Sequence, residues 1–159
     1  MIHAQSLSFI TITEAQEHWV WYIVPQFLGF LVFMVAAVAE SNRPPFDLTE
    51  ADGEVVAGYH TEYGGMRFAM FANAEFINAI TLSALAAVLF LAGPEGPGPG
   101  WLAPIWMLLK IGFFLFLFIW LRATVPRVRF DQLMAVGWKV LLPLATLNLV
   151  VTAAFVVYG

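Results

Sequence analysis

Residues 101–121 read WLAPIWMLLKIGFFLFLFIWL, twenty-one positions carrying one charge, Lys110. At about 1.5 Å per residue, a helix of this length reaches roughly 32 Å, the thickness of the hydrocarbon core of a bilayer. Three more stretches have the same character. Residues 19–39 hold no charge, residues 68–92 hold only Glu75, and residues 140–158 hold none. Apolar periodicity by itself does not separate a spanning helix from a buried core helix. Four such stretches in 159 residues, however, leave too little polar sequence to cover them in water. The expected fold is an all-α membrane protein with four transmembrane helices, at about 19–39, 68–92, 101–121 and 140–158, preceded by a pre-helix segment at 1–18.

Composition leads to the same class. Apolar side chains make up 61% of the chain and charged ones 11%, against about 25% in ordinary soluble domains. The mean hydropathy is +0.82. A soluble globular enzyme is excluded, because so much apolar surface needs lipid as its solvent. With no cysteine, the chain has no disulfide, thiolate metal site, Cys-ligated iron–sulfur cluster or thiol nucleophile of its own. A net charge of −4 argues against a nucleic-acid partner. Residues 1–18 lack the basic and apolar regions of a signal peptide.

The segments between the spans give a direction. Arg43 and Arg67 flank the first loop, and Arg122, Arg127, Arg129 and Lys139 surround the third, while residues 93–100 (GPEGPGPG) carry no basic residue. The positive-inside bias therefore predicts that the first and third loops are cytoplasmic, and that the termini and the second loop lie outside. Trp19, Trp21, Trp101, Trp120 and Trp138 fall near span ends, where interfacial anchors belong.

The first loop is unusual for its side of the membrane. Residues 40–67 hold Glu40, Asp47, Glu50, Asp52, Glu54 and Glu62 against two arginines, so the whole net charge of the chain resides there. Pro44, Pro45 and Phe46 force an extended apolar step after Arg43, and Val55, Val56, Tyr59, Tyr63 and Met66 interleave with the acids. Such a loop packs against something. Carboxylates crowded in a partly desolvated place titrate as a coupled set, which can take up and release protons. The plain alternative is a solvated acidic loop with Arg43 as a topology charge and His60 as a packing residue.

Two ionisable residues fall inside spans. Glu75 lies about 10 Å into its helix, with Asn78 and Thr81 following on a broad common face that predicts a wet interior stripe. Lys110 lies near the middle of its span. Each costs about 2.5 to 3.5 kcal/mol on insertion scales, so each is expected to be paired, hydrated or functional. A helix-pairing role for Glu75, and a structural ion pair or a proton relay for Lys110, are all open. Arg127, Arg129 and Asp131 read as an interfacial clamp.

The stretch AESNRPPFDLTEADGEVVAGYHTEYGGMRFAMF (39–71) closely resembles the acidic loop of the quinone-chamber membrane subunit of respiratory complex I. This is the H-subunit family of NADH:quinone oxidoreductase, called NADH dehydrogenase subunit 1 in mitochondria. WLRATVPRVRFDQLMAVGWKVLLPL (120–144) and WYIVPQFLGF (21–30) are similar to the same family.

The resemblance implies a membrane-arm subunit that helps form the chamber where quinone accepts electrons, and that couples quinone reduction to proton translocation. Carried over position by position, the acidic, proton-coupling positions fall on Glu40, Asp47, Glu50, Asp52, Glu54, Glu62 and Glu75. The membrane lysine, counted with the proton-coupling positions, falls on Lys110, and the chamber positions on Arg43, Phe46, Asp47 and Glu50. Asp52 stands where the family often has Glu. Quinone would be the substrate, with FMN and iron–sulfur clusters in partner subunits of the membrane and peripheral arms. The location would be the cell inner (plasma) membrane. The family has about eight spans, and this chain resembles the last four, as a truncated gene product, a split subunit or an incomplete reading frame would. It is expected not to be catalytic alone. The alternatives are the homologous membrane subunit of a membrane-bound hydrogenase or an F420H2 dehydrogenase, or, in another class, a proton-coupled carrier or a structural anchor.

Overall fold

The structure, a computed structural model, describes residues 4–17, 21–41, 45–46, 64–97, 99–126 and 128–158. Among these residues all regular structure is helical. The helices are α1 (Phe9–Glu17), α2 (Phe27–Glu40), α3 (Met66–Phe90), α4 (Ala103–Thr124), α5 (Phe130–Val136) and α6 (Leu142–Tyr158). A 3-10 turn, Gly100–Leu102, leads into α4, and a π-helical turn, Gly137–Leu141, joins α5 to α6. The acidic loop falls largely outside the described residues.

Three helical stretches are long and apolar enough to cross a membrane: Met66–Phe90, Gly100–Thr124 and Phe130–Tyr158. The first expected span differs from these. Its helix begins only at Phe27 and has 14 residues, about 21 Å. Pro25 has no amide hydrogen to continue a helix from upstream, and residues 21–26 form turns instead. In them Val24 N donates to Trp21 O, Gln26 N to Tyr22 O, and Ile23 N to Phe90 O at 3.1 Å. The expected fourth span is longer than the sequence suggests, starting ten residues before position 140. Pro143 removes one helical donor there. The Leu142 amide reaches back to Gly137 O, five residues away, and the helix continues through the π turn. The expected pre-helix segment contains α1.

Proline and glycine set the other boundaries. Pro104 lies in the first turn of α4, where its missing donor costs nothing. Pro126 follows Val125, whose extended backbone ends α4. After α3 the chain turns through Ala92 and Gly93, both with positive φ.

α3 and α4 form an antiparallel hairpin, with α2 packed across it. Met34 and Val38 from α2, Ala86 and Ala87 from α3, and Phe114 and Phe118 from α4 form the core. The two alanines let the phenylalanines of α4 approach α3 closely. Phe30 closes the triangle, with its ring 5.3 Å from Phe90 and 6.1 Å from Phe114. α6 joins through a polar contact within the apolar bundle: Gln26 Nε2 donates to Thr152 Oγ1 at 2.7 Å, and Asn148 Nδ2 donates to Gln26 Oε1 at 3.0 Å. Because the start of α2 meets the end of α6, these two helices are antiparallel as well.

The bundle therefore has two ends. Gln16, Gln26, the turn after α3 and Thr152 lie at one. Arg67, Arg122, Arg129 and Lys139 lie toward the other, as the charge pattern predicts. Outward-facing residues such as Met70, Ile77, Leu147, Val150 and Phe155 are exposed, as a lipid-facing or partner-facing surface requires.

Candidate functional site

At the end carrying the basic residues, α2 terminates on Glu40 and Ser41. The Ser41 amide donates to Ala37 O at 3.0 Å, and its buried hydroxyl donates to Val38 O at 2.9 Å, closing the last turn. Asn78 Nδ2 on α3 donates to Glu40 O at 3.4 Å. The polar stripe of α3 thus meets the end of α2. Glu75, three residues before Asn78 on a neighbouring face, is half-buried and makes no ion pair among the described residues. Thr81 is exposed and turns its hydroxyl back onto Ile77 O at 2.9 Å.

Pro45 and Phe46 bring the chain back over this end. The Val128 amide, beyond α4, donates to Pro45 O at 3.0 Å, and Phe46 packs on the core. Between α2 and α4 they roof a cavity of about 300 Å³, lined entirely by apolar side chains that include Met34, Val38, Leu117 and Leu121. Glu40, Glu75 and Phe46 are therefore all carried by elements that converge near this end. Arg43, Asp47, Glu50, Asp52, Glu54 and Glu62 lie outside the described residues. Of the expected interfacial clamp, Arg129 and Asp131 are 3.8 Å apart and both exposed, and Arg127 lies outside the described residues.

Lys110 is placed elsewhere. It sits eight residues into α4, beside the far end of α3, and is 5% exposed. Its ammonium donates to Leu91 O, Gly93 O and Glu95 O at 2.5, 2.8 and 2.5 Å and lies 5.1 Å from the centre of the Trp21 ring. Leu91 is sixteen residues from Glu75, so about 24 Å of helix separates the two ionisable span residues.

Sequence reasoning missed a second residue that holds the end of α3 and its turn. Gln16 of α1 is buried, and its amide group donates to Val88 O at 3.1 Å and Leu89 O at 3.4 Å while accepting the Ala92 amide at 3.0 Å. Among the described residues no three His, Asp or Glu side chains group as metal ligands would.

A family model described as NADH dehydrogenase matches residues 1–153. This chain belongs to the NADH dehydrogenase family. The family match covers all six helices except the last turn of α6. Individual members of the family are close in sequence. The H subunit of NADH-quinone oxidoreductase from Protochlamydia amoebophila is 50% identical over 151 residues, covering 94% of this chain and 45% of that protein. The H subunit numbered 2 of the same oxidoreductase from Koribacter versatilis is 52% identical over 163 residues, covering 95% of this chain and 46% of that protein. The H subunit from Thermomicrobium roseum is 56% identical over 142 residues, 87% of this chain and 40% of that protein. The chain spans less than half the length of these relatives. With its long apolar helices, this NADH dehydrogenase family member is a multi-pass membrane protein.

Proposed function

We propose that this chain is part of the H-type membrane subunit of NADH:quinone oxidoreductase. In this reading it helps form the quinone chamber and couples quinone reduction to proton translocation through its acidic residues. The observation that carries it is the family match over residues 1–153, together with relatives whose names are those of the oxidoreductase subunit. Quinone is the substrate, and the electrons come from FMN and iron–sulfur clusters held by the other membrane-arm and peripheral-arm subunits. The acidic end faces the cytoplasm across the plasma membrane.

The coupling set comprises Glu40, Asp47, Glu50, Asp52, Glu54, Glu62 and Glu75, with Arg43 and Phe46 at the chamber. Two features of the fold support it. The Asn78 hydrogen bond joins the end of α2, where Glu40 sits, to the helix carrying Glu75. Pro45 and Phe46 pack over the same end, which holds the start of the loop against the bundle. Acids gathered around a reacting quinone respond to its charge because neighbouring charges shift one another's proton affinity, so reduction can be linked to proton uptake.

The test is Asp47→Asn with Glu50→Gln in the assembled complex. NADH oxidation by an artificial acceptor is expected to stay near normal, because no redox centre is touched. Quinone reduction and the proton gradient it drives are expected to fall sharply as a coupling free energy of about 1 to 3 kcal/mol is lost. Wild-type quinone turnover with wild-type pumping in the double variant would refute the reading.

A further inference from the structure

The end of the bundle opposite the basic residues is built around one buried cation. The turn after α3 does not project away from the helices. Ala92 and Gly93 are buried, and the carbonyl groups of Leu91, Gly93 and Glu95 point inward onto Lys110 Nζ at 2.5 to 2.8 Å. The three N–H donors of an ammonium are thereby all used on backbone oxygens, while Trp21 covers the charge from the side of α2. These carbonyls belong to the negative end of a 25-residue helix and the turn that follows it, which favours a cation there. Gln16 satisfies the neighbouring groups of the same turn, and Trp106 Nε1 holds Pro97 O at 3.2 Å.

We propose that Lys110 is a fixed cation that locks this turn over the end of the bundle and bars protons from leaving through it, rather than a member of the proton-coupling set. A positive charge held in place among buried groups opposes the entry of another, as fixed cationic groups do in pores that exclude protons. Its distance from Glu75, about 24 Å along the helix, sets it apart from the acids of the other end, and the carboxylate that faces it is that of Glu95 in the same turn. A relay lysine gives up one N–H donor with its proton, and here all three are engaged, so one of the three carbonyls would lose its partner. The inference does not rest on quinone chemistry, since a closed end would serve any membrane protein with protonating groups at its other end.

The experiment uses the assembled membrane complex containing this chain and takes two readings. Amide hydrogen exchange over residues 91–97 reports the lock, and the decay of an imposed pH gradient in vesicles, without substrate, reports the seal. For Lys110→Met, exchange at 91–97 is expected to rise on the order of tenfold, with α2 unchanged, and the passive leak to rise several-fold. For Lys110→Arg, whose guanidinium does not deprotonate, the leak is expected to stay at the wild-type level. The proposal is overturned by Lys110→Met with wild-type exchange, by Lys110→Met with a wild-type leak, or by Lys110→Arg that leaks as Lys110→Met does. If Lys110→Met does not assemble, Lys110→Gln, which keeps two donors without the charge, is read against the same outcomes. Neither reading involves quinone turnover, so this proposal and the proposed function fail separately.

Discussion

Gln16 and Ala92, 76 residues apart, share a hydrogen bond in which the Ala92 amide donates to Gln16 Oε1 at 3.0 Å. Gln16 is 1% exposed, and the same side chain also accepts the Tyr22 amide at 3.3 Å. It thereby satisfies backbone groups from two irregular segments.

Gln16→Leu keeps the volume and removes every one of these partners. The orphaned Ala92 amide and α3 carbonyls are expected to cost about 2 to 3 kcal/mol, since each buried unsatisfied group costs roughly 1 to 3. Equilibrium unfolding in mild detergent measures this directly. A loss below about 0.5 kcal/mol would mean that other groups take over the capping.

Gly96 lies flat against the Trp106 ring. A Cβ at this position would be 2.5 to 2.7 Å from three ring atoms, so Gly96→Ala has to displace either the indole or the turn. The expected cost is about 1 to 3 kcal/mol, as for other overpacked sites. Because the clash is with the indole, Trp106→Leu in the same chain is expected to absorb most of it. Strict additivity in that double-variant cycle would contradict the packing described.

The contact between α2 and α6 depends on Gln26 and Asn148. A double-variant cycle with Gln26→Ala and Asn148→Ala is expected to give a coupling of about 0.6 kcal/mol, with a ceiling near 1.7, the range measured for hydrogen bonds between membrane helices. Gly29→Ala tests the same contact sterically, because its Cβ would stand 3.0 Å from Asn148 Nδ2 and 3.1 Å from Gln26 Oε1. If the coupling energy is zero, the bond between Asn148 and Gln26 contributes nothing to the contact, which is then left to the Gln26–Thr152 bond and apolar packing.

Orientation can be read with single cysteines in a chain that has none. Pro97→Cys and Gly64→Cys both fall at exposed positions, at opposite ends of α3. An impermeant thiol reagent added from outside is expected to modify position 97 and spare position 64, following the basic-residue asymmetry. The reverse pattern would invert the topology.

The apolar stretches and the ends of the bundle were legible because lipid imposes them on composition. The four runs poor in charge correspond to three long helices and the shorter α2, and Arg67, Arg122, Arg129 and Lys139 lie toward one end. Counting charges did not show where backbone hydrogen bonds fail, so the effect of Pro25 on residues 19–39 and that of Pro143 on the register of the last helix emerged only in the structure. Three neutral amides also passed unnoticed. Gln16, Gln26 and Asn148 carry no charge, yet they organise the end where α3 finishes. Lys110 was legible as a charge within a span, but its hydrogen-bond partners are main-chain carbonyls, which no side-chain pattern reveals. Phe46 was legible through its neighbouring prolines and does pack on the core. The stripe of Glu75, Asn78 and Thr81 was legible as a helical spacing, whereas the meeting of Asn78 with the end of α2 required the tertiary fold.

The shortness of α2 has a consequence for the surrounding lipid. Its 14 residues supply about 21 Å of cylinder against a hydrocarbon layer of roughly 30 Å, while α3 and α4 have 25 and 22 residues. Tilting would shorten its reach further, so beside α2 one leaflet meets a helix and the other meets the turn at residues 21–26. Thickening the bilayer then loads the two sides of the protein unequally: the long helices can straighten to follow it, whereas the turn, tied to Phe90 through Ile23, cannot lengthen. Acyl-chain length thus becomes a mechanical variable for this fold, acting first where α2 gives way to the turn.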